Sequence, residues 1–129
     1  MDFKVNKRLV KSLNKKELGR LGESLAVAYL RQAGLQIIRQ NYRCAKGELD
    51  IIARDGEWLV FVEVRTRAST HRGSPEESIT GKKIQRLKAL GAYYLLENGF
   101  REWPPLRFDA VTIIFIADEP VINWIKNIF

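Results

Sequence analysis

The sequence contains very few of the residues on which disulfide-linked or histidine-dependent proteins rely. Its 129 residues include one cysteine, Cys44, and one histidine, His71. A single cysteine cannot form an internal disulfide, which indicates a reducing compartment such as the cytoplasm. We expect no Cys–His catalytic pair, because His71 lies in a predicted polar loop and is expected to be an ordinary surface residue.

Long apolar segments are also absent. No run approaches the roughly 18–20 residues that span a bilayer, and residues 1–8 lack the continuous apolar region of a secretory signal. We therefore expect no membrane partner. A hydrophobic content of 46% with 29% charged residues is typical of a globular protein. The length of 129 residues allows one domain and is too short for two.

Positive charge exceeds negative charge, and the excess is concentrated at the N-terminus. The formal net charge is +7, and the first twenty residues contain seven Lys or Arg against Asp2 and Glu17. Such an excess favours polyanionic partners, of which nucleic acid is the usual one in the cytoplasm. We predict a basic flexible arm over residues 1–14 and a single domain over 15–129. A basic tail that only aids solubility is the alternative.

Apolar periodicity predicts an α/β domain. Helical spacing extends over residues 15–33 and again from a cap at Ser78 or Thr80 to about 98–99. Strands are predicted at 35–42, 48–54, 58–66, 106–116 and 121–125, with a polar loop at 67–77. The order α-β-β-β-α-β-β predicts a mixed β-sheet flanked by helices.

Two acidic motifs flank a predicted hairpin. Gly47-Glu-Leu-Asp50 and Glu63-Val-Arg65 lie on either side of Asp55-Gly56, a dipeptide that favours a two-residue turn. This turn would place Asp50 opposite Phe61 and Glu48 opposite Glu63. Side chains that are directly opposite or two residues apart share a face. The side chains predicted to lie together are therefore those of Glu48, Asp50, Phe61, Glu63 and Arg65.

Such a group of carboxylates requires a compensating cation, because like charges set opposite each other are destabilising. One hypothesis is a divalent metal, Mg²⁺ or Mn²⁺, bound by carboxylate oxygens and used for phosphodiester hydrolysis. In that case Arg65 would face the phosphate. The alternative is an ion-pair network through Arg65. Glu23, on the apolar first helix, likewise needs either a salt-bridge partner or a site to which it contributes.

A set of ordered motifs extends over residues 19–129. The motifs are Gly19-Arg-Leu-Gly-Glu23, Asn41-Tyr-Arg43, Gly47-Glu-Leu-Asp50, Phe61-Val-Glu-Val-Arg-Thr-Arg67, the 82–86 helix, Arg107-Phe-Asp109 and Ile125-Lys-Asn-Ile-Phe129. Together they resemble the YraN family of bacterial proteins. That family is similar to the archaeal Holliday-junction resolvases, so the resemblance implies the PD-(D/E)XK nuclease-like fold with its restriction-endonuclease-like core.

The resemblance also implies roles for individual residues. Asp50, Glu63, Arg65 and Glu23 match the family's catalytic positions, and the candidate metal ligands are Asp50, Glu63 and Glu48. No organic cofactor is implied. The candidate nucleic-acid contacts are Arg43, Arg67, Lys82, Lys83 and Arg86, although a solvated helix face is an equally good explanation for the last three.

Position 65 departs from the family pattern, because it is Arg where the family usually has Lys. Arginine cannot lose its proton in a protein and so cannot act as a general base, but it can bind a phosphate oxygen. The first hypothesis is a metal-dependent endonuclease for branched or structured DNA, which would act as a homodimer as similar resolvases do. The second is a non-catalytic nucleic-acid-binding or scaffold protein that retains the fold. The third is a protein-interaction module whose acids pair with Arg43, Arg65 and Arg67.

Overall fold

The chain forms a five-stranded mixed sheet with a helix packed against each face. The computed structural model describes residues 10, 12–69 and 73–129. The strand order is β1-β2-β3-β4-β5, in which β3 and β4 are parallel and the other neighbours antiparallel. The predicted fold class and element order are confirmed. The elements are α1 (Lys15–Gln32), β1 (Gln36–Cys44), β2 (Gly47–Asp55), β3 (Trp58–Arg67), α2 (Gly81–Glu97), β4 (Leu106–Ile116) and β5 (Glu119–Ile125).

Local capping interactions determine where the helices begin. The Asn14 side chain accepts a hydrogen bond from the Glu17 N–H (2.8 Å), and the Glu17 carboxylate accepts one from the Asn14 N–H (3.2 Å). This reciprocal arrangement is a capping box, which satisfies donors at the start of α1. Thr80, not Ser78, caps α2 by accepting from the Lys83 N–H (3.3 Å). Within the described ranges, no helix has the length and apolar character needed to cross a bilayer.

Some of the sequence predictions concern residues outside those described. Of the predicted arm, residues 1–9 and 11 lie outside them, as do 70–72 with His71. Val10, however, is 2% exposed and belongs to the core cluster beneath α1. The packed part of the chain therefore begins before residue 15. The predicted 67–77 loop contains a short 3₁₀ helix, Pro75–Ser78.

The register of the β2–β3 hairpin differs by two residues from the prediction. Asp55 pairs with Trp58 and Ile52 with Phe61, so the turn consists of Gly56 and Glu57. The prediction that Asp50 lies opposite Phe61 is wrong. Gly56 has a φ of 61°, and a glycine at the first central position is what one class of tight hairpin turn requires. Because side chains alternate with a period of two, a two-residue shift in register leaves each residue of a regular strand on the same face of the sheet.

The two sheet faces carry separate apolar clusters. Ile51, Ala53, Val60 and Val62 pack in the cluster beneath α1. The cluster on the α2 side contains Ile52, Phe61 and Phe108 among others. Gly91 of α2 allows close packing there, since a Cβ at this position would lie 3.1 Å from Phe61 and 3.2 Å from Phe108. Phe61 is therefore a core residue on the α2 side.

A buried ion pair ties the end of the chain to the sheet. Asp109 is fully buried and accepts hydrogen bonds from Arg107 Nε (3.0 Å), Trp124 Nε1 (3.0 Å) and the Asn127 N–H (3.0 Å). Arg107 also contacts Asp55 at 2.8 Å. Arg107 and Asp109, the two ends of the Arg107-Phe-Asp109 motif, thus form an ion pair. Its polar atoms are directed at one another and at the chain terminus, which makes its role structural.

The close approach of α1 to β3 generates the first prediction. A Cβ at buried Gly22 would collide with the Thr66 hydroxyl, whereas one at Gly19 would meet nothing within 4 Å. We expect Gly22→Ala to lower the free energy of unfolding by about 1–3 kcal/mol, the usual cost of overpacking. Gly19→Ala, in the same helix, should instead be neutral or stabilise by up to about 1 kcal/mol. Urea unfolding measures both; equal effects would contradict the packing argument.

Candidate metal centre and nucleic-acid interface

The candidate site lies where β2 and β3 separate. Their paired residues end at Ile51 and Val62. Beyond this point the Val64 N–H donates to the Asp50 carboxylate (2.8 Å). The side chain of Asp50 therefore replaces a strand backbone as the hydrogen-bond partner of β3. An open cleft of about 910 Å³ begins here and is lined by acidic and basic side chains from α1, β2, β3 and α2.

An irregular step in β2 orients its acidic residues. In a regular strand residues 49 and 51 would share a face. Here Leu49 packs with Ile52 on the α2 side, whereas Ile51 packs beneath α1. The alternation therefore breaks at Asp50, the residue between them. The break allows Glu48 and Asp50 to approach Glu23 of α1, on the opposite side from Leu49.

Three carboxylates converge at this point. One oxygen from each of Glu23, Glu48 and Asp50 lies within 4.8 Å of the others. The Asn41 amide, oriented with its nitrogen toward the acids, donates to Glu23 Oε2 (3.0 Å) and Glu48 Oε1 (2.9 Å). Asn41 has a φ of 54°, a left-handed conformation that asparagine tolerates better than most residues. Its amide thus bridges the first helix and the second strand.

Burial and mutual repulsion disfavour ionisation of these acids. Burial raises the pKa of Asp50 to about 7, and the charges of Glu63 and Glu23 add to the effect, while the Val64 N–H opposes it. The pKa of Glu23 is also raised, first by burial and then by Glu48. Carboxyl groups that share a cleft and have strongly shifted pKa values are typical of functional sites. Holding Asp50 and Glu23 together in their ionised forms is therefore unfavourable.

Glu63 and Arg65 approach the cleft from the other face of the sheet. Their neighbours Val62 and Val64 pack beneath α1, so strand alternation directs Glu63 and Arg65 toward the α2 side. Glu63 is 4% exposed, and its Oε1 lies 2.5 Å from Arg65 Nη2. The acids are therefore brought together from both faces at the strand gap, not on the single face that the sequence predicted.

Positive side chains surround the acidic centre. The cations that line the cleft are Lys15, Arg65, Arg67 and Arg86. The pKa of Lys83 is lowered, first by burial and then by the positive charge of nearby Arg65. Arg43 is exposed and pairs with Glu48 at 3.4 Å. Of the predicted basic residues, Arg67 and Arg86 line the cleft, whereas Arg43, Lys83 and the exposed Lys82 do not.

Sequence reasoning missed two contributors to this geometry. Asn41 was recognised only as part of a motif, without a role, although an asparagine within a predicted strand is a signal for an unusual backbone conformation. Gly22 allows α1 to approach Thr66 on β3, and it directly precedes Glu23. These two residues position two of the three converging carboxylates.

The fold and this cleft define a class: an α/β protein with a mixed sheet whose acidic centre lies between diverging strands. Within that class the chain belongs to the family described as "Uncharacterised protein family UPF0102", whose model matches residues 22–113. UPF0102 is the YraN family, so the predicted membership is confirmed.

Individual relatives match over almost their whole length. A UPF0102 protein of Desulfitobacterium hafniense strain Y51 is 50% identical over 120 residues, covering 91% of this chain and 99% of its own. A UPF0102 protein of Rhodococcus jostii strain RHA1 is 42% identical over 113 residues, covering 87% and 95%. These relatives establish the family, and their names state no activity.

The raised pKa of Asp50 predicts how stability depends on pH in the absence of divalent metal. Between about pH 4, where an unfolded Asp ionises, and pH 7, the folded state binds more protons than the unfolded state. Stability should therefore fall as pH rises through this window, by up to about 1.4 kcal/mol per pH unit. Urea midpoints measured in a chelator at pH 5 and 8 test this. Asp50→Asn should remove most of the decline, and parallel profiles would contradict the assignment.

Proposed function

We propose that this protein is a metal-dependent endonuclease that hydrolyses phosphodiester bonds in structured or branched DNA. The observation that carries the proposal is the strand gap, in which Glu23, Glu48 and Asp50 converge beside Glu63, Arg65 and Arg67. Acids that bind a cation, set next to guanidinium groups that bind phosphate, are the two elements that metal-assisted phosphodiester hydrolysis requires.

The donor set suits Mg²⁺ or Mn²⁺. Both cations prefer oxygen ligands, and the three converging groups are all carboxylates. Asp50 and Glu48 were predicted as ligands from the sequence, and the geometry adds Glu23. Glu63 reaches the same cleft from the other face and is the remaining candidate. A bound metal would polarise the phosphate and lower the pKa of a bound water.

The protein's own residues supply charge stabilisation and position. An arginine side chain cannot give up its proton in a protein, so Arg65 serves as a fixed cation and not as a base. Its ion pair with Glu63 holds the guanidinium in the cleft that Glu23, Glu48 and Asp50 also line. From there it can bind a phosphate oxygen and stabilise the negative charge that develops on phosphorus-bound oxygens during hydrolysis. Asn41 holds Glu23 and Glu48 beside each other.

A second candidate function is nucleic-acid binding without cleavage. The observation in its favour is the short Arg65–Glu63 ion pair, in which Arg65 neutralises one predicted catalytic acid. Such a protein would use the same cationic rim, and its affinity would fall steeply with salt. The two candidates differ in metal dependence and in the formation of products.

The test of catalysis compares variants of two acids, Asp50 and Glu63, that approach the cleft from opposite faces of the sheet. Purified protein is incubated with Mg²⁺ or Mn²⁺ and labelled junction, flap and duplex DNAs. We expect junction or flap cleavage, and we expect Asp50→Asn and Glu63→Gln each to lower the rate by at least about a hundredfold, as loss of a principal charge-stabilising group does. Glu57→Gln, in the β2–β3 turn away from the cleft, is the matched control and should retain full activity.

Metal binding is measured separately from cleavage. Because a ligand that binds only the folded state stabilises it, Mn²⁺ should raise the melting temperature of the wild type and not that of Asp50→Asn. Absence of cleavage by the wild type under all metal conditions, with salt-sensitive DNA binding intact, would favour the second candidate. Absence of both metal and DNA binding would reject both.

A further inference from the structure

Charges follow a definite order along the second half of β3. Glu63, Arg65 and Arg67 alternate with Val62 and Val64, which pack beneath α1. Since a strand rises about 3.3 Å per residue, the Cα atoms of Arg65 and Arg67 are about 7 Å apart. Their side chains leave the strand on the same side. One carboxylate and then two guanidinium groups thus lead outward from the acidic centre.

The two arginines differ in their partners. Arg65 is held by Glu63. Within the part of the chain that the structure describes, no carboxylate forms an ion pair with Arg67. Among the described residues the buried Nε of each arginine has no hydrogen-bond partner, so the two differ in the carboxylate that pairs with Arg65. A buried donor without an acceptor is unfavourable, so the position is suited to an anionic ligand.

The surroundings of Arg67 also favour an anion. Arg67 lines the cleft together with Arg86 from α2 and Lys15 from α1. Burial lowers the pKa of nearby Lys83, and the charges of Arg65, Arg86 and Arg67 lower it further. These cations therefore repel one another, and a phosphate between them would relieve that repulsion.

We infer that Arg67 binds the phosphate adjacent to the one that is cleaved, an inference that rests on the proposed function. Successive phosphates of an extended nucleic-acid strand are separated by about the same distance as alternate residues of a β-strand. With the reacting phosphate between the acidic cluster and Arg65, the next phosphate of the strand reaches Arg67. The substrate is accordingly an internal phosphodiester in a chain with at least two phosphates, and an isolated diester leaves Arg67 unsatisfied.

Short thymidine oligonucleotides test this requirement. The substrates are a dinucleotide with one phosphodiester, a trinucleotide with two, and the two isomeric trinucleotides in which one linkage is an uncharged, uncleavable methylphosphonate. With Mn²⁺, the wild type should cleave the trinucleotide at least about ten times more efficiently (kcat/KM) than the dinucleotide. At least one methylphosphonate isomer should show the same loss as the dinucleotide.

Combining a change in the protein with the loss of one phosphate charge from the substrate gives a cycle that measures the coupling between the two groups. Arg67→Gln should reduce the preference for the trinucleotide over the dinucleotide to less than about twofold, because its loss of efficiency is larger on the trinucleotide. Lys82→Gln removes a positive charge outside the cleft and should behave as the wild type. The inference is overturned if the wild type shows no preference, if Arg67→Gln slows all substrates equally, or if Lys82→Gln has the same effect as Arg67→Gln.

A binding experiment separates failure of this inference from failure of the proposed function. Fluorescence anisotropy with labelled decathymidylate in a chelator requires no cleavage. Arg67→Gln should weaken binding about tenfold at low salt and reduce the slope of log affinity against log salt by about 0.7, the value for one phosphate contact on a single strand. Unchanged affinity and slope in this variant, with circular dichroism showing a folded protein, would overturn the inference even if the wild type cleaves DNA.

Discussion

The hydrogen bond from the Val64 N–H to the Asp50 carboxylate is the interaction on which the site depends. At the end of the hairpin, β2 and β3 no longer bond through their backbones, and a buried amide of β3 must find another acceptor. Asp50 supplies it, so the strands can separate without leaving that donor unpaired. The same bond fixes one carboxylate oxygen at the base of the cleft. The opening between the strands and the position of the acid therefore have one physical cause.

The acidic centre is held together against its own repulsion. Glu23, Glu48 and Asp50 come from a helix packed on one face and from an irregular strand, and the Asn41 amide bridges two of them. Burial raises the pKa of Asp50 and of Glu23, so folding works against these ionised groups. Local departures from the most stable arrangement are typical of functional sites, where stability is exchanged for reactivity. The fully satisfied Asp109 network shows the contrasting case, a buried carboxylate whose partners serve the fold.

Local patterns were sufficient for most of the architecture. Apolar periodicity predicted helices α1 and α2 and strands β1 to β5, because each of these elements buries one stripe or face and its residues must repeat accordingly. The hairpin register was wrong by two residues, since both Asp55-Gly56 and Gly56-Glu57 can occupy a tight turn and only the packing of the flanking strands selects between them. Phe61 shares the α2 face with Glu63 and Arg65, as alternation predicted, but packing against Gly91 makes it a core residue and not part of the site.

The sequence by itself determined the family, the element order and the identity of most acids and cations at the site, because these follow from composition, periodicity and motif order along the chain. Only the tertiary structure decided how the acids meet. The break in alternation at Asp50, the left-handed Asn41 and the close contact between Gly22 and Thr66 are each set by residues distant in sequence. Likewise, the lack of a carboxylate partner for Arg67 among the described residues is a property of three-dimensional neighbours. No local pattern records such contacts, because their energies arise only when separate elements pack together.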